Sequence, residues 1–505
     1  MKLCNATLSA LPDGISGPAY DRSALTPGIV HIGLGNFHRA HQAWYLHRLM
    51  QQGLAHDWAI IGAGVRAGDA AMRDRLLAQD CLTTLVELDP NGTSAEVIGS
   101  MIDFLPVEEN NASLIKAMSD PAIRIVSLTV TEGGYYLDPT GGLDLNHADI
   151  IHDAKSPETP VTAFGAMIAA LRARRDADLP AFTGQCCDNL QGNGAILRQT
   201  VVGLARLSDP DLANWIDQNV AFPDAMVDCI VPATGDAELS LVRELGIDDA
   251  APVTHENYRQ WVIEDQFCNG RPPWEKAGAT LTNDVHPYES MKIRILNAGH
   301  QVLANVGEVL GLATIADCMA DTQVAAFFQK VQRTEMLPHV DAVAGLPNAE
   351  YLALIERRFA NPKIRDTTRR VAFDGSSRHP GFLLPILRDA LSAAALVNGL
   401  ALVEALWARM CAGTREDGSV IAANDPHWEA LQNVANAARD DRQKWLMMTQ
   451  IYGDLASAPG FAEAFAGWLD LIWEDGARAA LSAYLDGVDM SATGDERAER
   501  ASQSG

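Results

Sequence analysis

The segment Ile29-Val30-His31-Ile32-Gly33-Leu34-Gly35-Asn36-Phe37-His38-Arg39-Ala40-His41 narrows the possible folds of this chain more than any other. An apolar strand pattern runs into Gly-x-Gly and then into a helical pattern, the order in which a dinucleotide pyrophosphate rests against a strand-turn-helix corner. Gly33, Gly35, Asn36 and Phe37 are the candidate cofactor-binding residues of that corner. The third glycine of the G-x-G-x-x-G fingerprint is missing, and His38 stands in its place, so a plain tight turn is the competing reading. The strand context and the βαβ setting around it favour the cofactor.

Runs resembling buried strands recur at 28–34, 58–65, 123–130 and 181–187, with helix-period stretches at 41–52 and 70–78 between them. This alternation predicts an α/β fold with a parallel sheet covered by helices. Beyond about residue 284 the chain becomes rich in Ala and Leu, with helix periods at 290–310, 322–334, 381–411 and 461–485. The expected organisation is a nucleotide-binding domain over 1–284, a mostly α-helical substrate domain over 285–490, and a polar, disordered tail over 491–505.

Composition excludes several classes. With 39 Lys plus Arg against 65 Asp plus Glu, a net charge of −26 disfavours nucleic acid and anionic membranes as partners. The eight cysteines show no zinc-ligand spacing and suit a reducing compartment, and the first residues lack the apolar run of a signal peptide. The apolar stretch 385–410 is interrupted by Arg388, Asp389, Glu404 and Arg409, which suits a buried helix or helix pair rather than a membrane span. A cytoplasmic protein with a small-molecule substrate is expected, and no spacing speaks to its oligomeric state.

Asp69 is the first carboxylate after the second strand pattern and would accept from the adenosine ribose of NAD, whereas Arg66 would suit the 2′-phosphate of NADP. Both also read as solvated loop charges. The strand ending at Val130 runs into Thr131-Glu132-Gly133-Gly134-Tyr135, which places Thr131 and Glu132 where open α/β sheets bind ligands. In the second half, Lys292, Asn297 and His300 lie on one helical stretch. Asn297 and His300 share a face, and Lys292 lies about 80° from His300 around the axis. Oxidation of a secondary alcohol needs a proton acceptor, which a desolvated lysine supplies, while Asn297 and His300 offer donors to the developing alkoxide. A solvated lysine and a capping asparagine on an amphipathic helix is the alternative. The spacing Tyr288-x-x-x-Lys292 matches the Tyr-Lys pair of short-chain dehydrogenases, but its position after the sheet domain argues for coincidence.

Six ordered motifs together resemble the polyol-specific long-chain dehydrogenases, the mannitol 2-dehydrogenase and fructuronate reductase group. They are Gly33-x-Gly35-x-Phe37-x-Arg39-Ala40, Thr131-Glu132-x-Gly134-Tyr135 and Cys187-Asp188-Asn189-Leu190-x-x-Asn193-Gly194. They continue with Trp261-Val262-Ile263-Glu264-Asp265, Lys292-x-x-x-x-Asn297-x-x-His300 and Asp374-Gly375-Ser376-Ser377-Arg378. The resemblance implies a Rossmann-type domain followed by a mostly helical one, NAD as cofactor with NADP second, and no metal. The implied reaction interconverts a polyol and its ketose, mannitol and fructose first, with a hexuronate reductase as runner-up. A non-catalytic dinucleotide sensor is the reading from another class. By resemblance Lys292 is the general acid/base, Asn189 and Asn297 hold the substrate oxygen, His300 fixes the sugar and Glu289 relays the proton. From spacing alone, the Asn189 stretch is an Asx-type turn. Residues 357–378 carry seven Lys or Arg against two Asp, and the resemblance makes Arg370 and Arg378 substrate-binding, although Arg378 stands where some members have Lys.

Overall fold

The structure, a computed structural model, describes residues 1–138, 140–343 and 345–491, with Glu132 described by its backbone alone. The tail expected to be disordered therefore lies, from Ala492 onward, outside the described residues. The chain forms two compact units, Met1–His286 and a second beginning at Pro287.

In the first unit, β1 (Pro27–Ile32), β2 (Ala59–Ala63), β5 (Met101–Phe104), β6 (Ile125–Leu128) and β7 (Thr183–Cys186) form a parallel sheet in the order β5-β2-β1-β6-β7. Four of these strands coincide with the four apolar runs in the sequence, which read as continuous because both faces of such a sheet are covered. The order reverses between β1 and β6, so the crevice at their carboxyl ends is the topological switch point of the fold. Two small sheets were not anticipated. An antiparallel hairpin of β3 (Thr83–Asp89) and β4 (Gly92–Ile98) pairs with β9 (Val253–Glu256), and β10 (Gln260–Glu264) lies between β8 (Ala225–Asp228) and β11 (Thr280–Thr282).

The missing third glycine has a structural explanation. That glycine ordinarily lets a helix approach its strand closely. Here the fully buried His31 of β1 and His38 of the helix Asn36–Ala40 stack with ring centroids 3.4 Å apart and planes 14° apart. Two flat imidazoles fill the gap that a glycine would otherwise close. Thr129 Oγ1 donates to the Gly33 carbonyl at 2.6 Å, so it accepts from His31 Nε2 at 2.9 Å, leaving His31 Nδ1 to accept from Ser127 Oγ at 2.8 Å. His31 is thus neutral, and burial holds its pKa down at about 3.

The second unit is helical. The helix Asn398–Cys411 is buried along its whole length and packs against Ala298–Leu310 and Phe461–Asp475. The apolar stretch 385–410 is indeed a helix pair, Leu384–Ser392 followed by Asn398–Cys411. The pattern at 461–485 is likewise divided, by Gly476 at φ +90°, into Phe461–Asp475 and Ala477–Leu485. The regular helix expected over 290–310 is not continuous. His286–Met291 passes into a π-helical segment, Lys292–Asn297, before Ala298–Leu310 resumes the α-helix. Two further π segments, Gln332–Met336 and His379–Leu383, adjoin it.

Candidate functional site

In the first unit, β1 ends at Gly33, whose φ of +89° and position are closed to other residues: a Cβ there would meet the Thr129 carbonyl oxygen at 2.2 Å. At Gly35 the reverse holds. A Cβ would meet nothing nearer than the Gly33 oxygen at 4.0 Å, so the missing side chain leaves room above the turn for a ligand to approach the backbone. Asn36 is engaged with the protein itself. Its amide donates to Thr234 Oγ1 at 2.9 Å and to the Pro232 carbonyl at 3.2 Å, and its oxygen accepts from Arg39 at 2.8 Å. Phe37 stacks on His41 at 4.9 Å. A cavity of about 480 Å³ opens beside this corner, lined by Asn36, Arg39, Met72, Arg75, Thr234 and Leu239 among others.

Across the switch point, Thr131 has a φ of +68°, a conformation that β-branched residues avoid. Asp188, just past β7, holds it there. Its two carboxylate oxygens accept from the Val130 and Thr131 N–H groups at 3.0 and 2.9 Å, and one also accepts from Tyr135 Oη at 2.7 Å. The sequence placed Asp188 in a motif without giving it a role; the signal was a carboxylate at a strand end facing a Gly-rich turn. The next residue, Asn189, is exposed. Asn193, by contrast, is fully buried, donating to the Asp188 and Ala225 carbonyls at 3.0 and 2.7 Å and accepting from the Ala225 N–H at 2.9 Å. Asp69 begins the helix Asp69–Leu77 at the carboxyl end of β2, where one of its oxygens accepts from the Arg66 N–H at 3.0 Å. Gly64 makes room for it, since a Cβ there would lie 2.3 Å from that of Asp69. The Arg66 guanidinium reaches instead toward Gly134 on the far side of the switch point.

In the second unit the π segment settles how Lys292 and Asn297 relate. On a regular α-helix, residues five apart diverge by about 140° around the axis. Hydrogen bonding from i to i+5 makes them successive positions one turn apart on the same face. Lys292 and Asn297 bound this turn, 7% and 9% exposed, and Glu289, 4% exposed, precedes Lys292 by three residues. His300 follows Asn297 by three. Its ring stacks on Phe359 at 4.2 Å, and burial lowers its pKa to about 4, so it is a neutral imidazole. Its Nε2 lies 3.8 Å from an Asp366 oxygen, too far for a hydrogen bond, and makes no other within the protein.

Asp366 is a second residue that sequence reasoning passed over. It accepts two hydrogen bonds of 2.6 Å from Arg370 in a fork-to-fork pair, so this arginine is oriented by a carboxylate rather than standing alone. Arg378 donates to the Val371 carbonyl at 2.6 Å. Both arginines line a shallow cavity of about 520 Å³ with Thr367, Phe373 and Asn424. Among the described residues no group of three or more His, Cys, Asp or Glu is placed to hold a metal ion, and no helix is long and apolar enough to cross a membrane.

Comparison with known proteins agrees over nearly the whole chain. Residues 27–276 match the mannitol dehydrogenase Rossmann domain family and residues 284–473 the mannitol dehydrogenase C-terminal domain family. The mannitol 2-dehydrogenase of Cereibacter sphaeroides is 55% identical over 471 residues, 93% of this chain and 99% of that protein. Among solved structures, the Pseudomonas fluorescens mannitol 2-dehydrogenase ternary complex with NAD and D-mannitol is similar at a TM-score of 0.86 and 39% identity, covering 97% of this chain and all of that one. A D-sorbitol dehydrogenase in substrate-free form is similar at a TM-score of 0.88 and 35% identity, covering 95% of this chain and all of that one. With a parallel-sheet first unit, a helical second unit and matches to both family domains over most of its length, this chain belongs to the mannitol dehydrogenase family.

Proposed function

We propose that this protein is an NAD-dependent secondary-alcohol dehydrogenase that interconverts an acyclic polyol and its ketose, D-mannitol and D-fructose first. The observation that carries this reading is the π turn that sets buried Lys292 and Asn297 on one face. The first unit fits a dinucleotide, because Gly35 leaves open backbone at the end of β1 while Gly33 lets β1 and β6 close together beneath it. Gly33, Gly35, Thr131 and Glu132 would border the cofactor, with Asp69 on the adenosine ribose, and Asn36 and Phe37 would shape the corner rather than grip the ligand. Bound NAD supplies the hydride acceptor.

The Lys292 amine takes the proton from the reacting hydroxyl and returns it to the carbonyl oxygen in the reverse direction. It must be neutral to accept, so oxidation is expected to rise with pH. Asn297 and the neutral His300 donate to the oxygen as charge develops on it, and Asn189 adds a further amide. Glu289, one turn before Lys292, passes the proton toward solvent. Arg370, steadied by Asp366, and Arg378 hold the remaining oxygens of the sugar. Proton transfer through a side chain leaves no step that requires a metal, so activity should survive a strong chelator; loss on chelation that zinc restores would overturn this scheme.

The cationic cavity bearing Arg369, Arg370 and Arg378 favours one alternative, a ketohexuronate whose carboxylate pairs with an arginine. Initial rates over a panel of polyols, ketoses and ketohexuronates, with NAD(H) and NADP(H) in parallel, separate the two. The highest kcat/KM should fall on mannitol and fructose with NAD(H). A higher value for fructuronate would establish the alternative, and turnover with none of them would leave only a dinucleotide-binding role.

A further inference from the structure

The π turn carrying Lys292 and Asn297 is a departure from the α-helix that needs support. At its exit the Ala298 N–H is shared between the Ile293 and Ile295 carbonyls, so the backbone ladder changes register there. A carbonyl at such a point can take a further donor from a side chain inserted against the ladder. That donor is Gln332, whose Nε2 donates to the Ile295 carbonyl at 2.9 Å. Gln332 is fully buried, and its Oε1 has no hydrogen-bond partner within the protein. A half-satisfied amide in an apolar interior costs stability relative to an apolar side chain of the same size. Packing therefore does not explain a glutamine here; the bond to Ile295 does.

The neighbouring residues are cut to admit this amide. A Cβ on Gly299 would lie 2.5 Å from Gln332 Nε2 and 3.1 Å from Phe328 Cε2, so glycine at that position lets the amide reach the helix backbone. Phe328, one helical turn before Gln332, packs on Phe359 with centroids 5.9 Å apart, and Phe359 stacks on His300. One edge of a neighbouring segment thus supports both the π turn and the imidazole beyond it.

We infer that Gln332, admitted by Gly299, is a positioning residue that holds the Lys292–Asn297 segment in its π register and so sets the amine and the amide on one face. The inference rests on the proposed role of Lys292. Without the Gln332 donor the turn relaxes toward α-helical winding, which swings Asn297 away from Lys292. Neither Gln332 nor Gly299 has to touch substrate for this to happen.

The test compares Gln332→Met, which keeps the volume and removes the donor, with Gly299→Ala, which displaces the amide without altering it, the double variant, and Lys292→Ala. Each is assayed for kcat, both KM values and the pH dependence of polyol oxidation, alongside thermal unfolding. Displacement of a reacting group by about an ångström can cost up to 100-fold in rate, so kcat should fall about 10- to 100-fold in either single variant, with KM for the cofactor within about twofold of parental. The rising limb of the pH profile should shift, and the double variant should be no slower than the slower single, because both act through one contact. Parental kcat and an unmoved limb in Gln332→Met and Gly299→Ala, with Lys292→Ala inactive, would overturn the inference while leaving the proposed function standing. So would losses that multiply in the double variant, or that merely track the unfolded fraction. If Gln332→Met does not fold, Gly299→Ala decides alone. Near-parental turnover in Lys292→Ala would overturn the proposed function itself, and this inference with it.

Discussion

Lys292 has Glu289 three residues before it and Asn297 one π turn after it, all three largely out of water. If it moves the proton, Lys292→Ala should fold and bind cofactor as the parent does but lose about 10²–10⁴-fold in kcat, measured by steady-state kinetics beside cofactor titration. The rise of oxidation rate with pH should disappear, and small primary amines should restore part of the rate. Tyr288→Phe is the control, since near-parental turnover in Lys292→Ala together with an inactive Tyr288→Phe would point to the Tyr-Lys mechanism instead. Asp69 answers a different question. Its carboxylate is expected to accept from a ribose diol and repel a 2′-phosphate, so Asp69→Ala should raise KM for NAD and narrow the preference over NADP with little change in kcat. A parental preference in that variant would remove Asp69 from cofactor choice.

At the level of elements, Gly33 joins two strands at the switch point. Gly33→Ala meets both a positive φ and a carbonyl oxygen 2.2 Å from the new methyl, and each conflict typically costs about 1–3 kcal/mol, so the variant should melt well below the parent and lose cofactor binding. Calorimetry checks this, and an unchanged transition would mean that the β1–β6 corner yields easily. Four strands of the main sheet were legible as apolar runs because burial on both faces writes itself into composition. The strands β5, β8 and β11 were not. The candidate site was legible in part: Lys292, Asn297 and His300 announce themselves by residue type, whereas the extra backbone residue that aligns the first two has no compositional mark. Asp188 and Asp366 were hidden for another reason. Their work is to orient a strained turn and an arginine, and such pairing appears only once the chain is folded.

Across the whole molecule, acid should be destabilising well before ordinary carboxylates titrate. Burial depresses His31, His47 and His255 to about 3 and His300 to about 4, from 6.5 when exposed. Between those values the unfolded chain binds more protons than the native one, so this stability is fully present above about pH 6.5 and is lost progressively as pH falls toward 3–4. The urea midpoint, followed by tryptophan fluorescence, should therefore drop between pH 7 and pH 5; a flat midpoint over that range would mean that these imidazoles are protonated in the native state. The three adjoining π segments of the second unit have a consequence of another kind, one of counting. A turn that holds one residue more than an α-helix depends on chain length, so removing any one residue between Ile293 and Leu296 would restore an unbroken α-helical ladder and leave Lys292 and Asn297 four apart, still one turn from each other on the same face. Such a deletion should melt no lower than the parent and keep measurable turnover, whereas adding one residue at the same place, which parts the pair, should abolish it. Through this segment the count of residues, as much as their identity, fixes which side chains face one another.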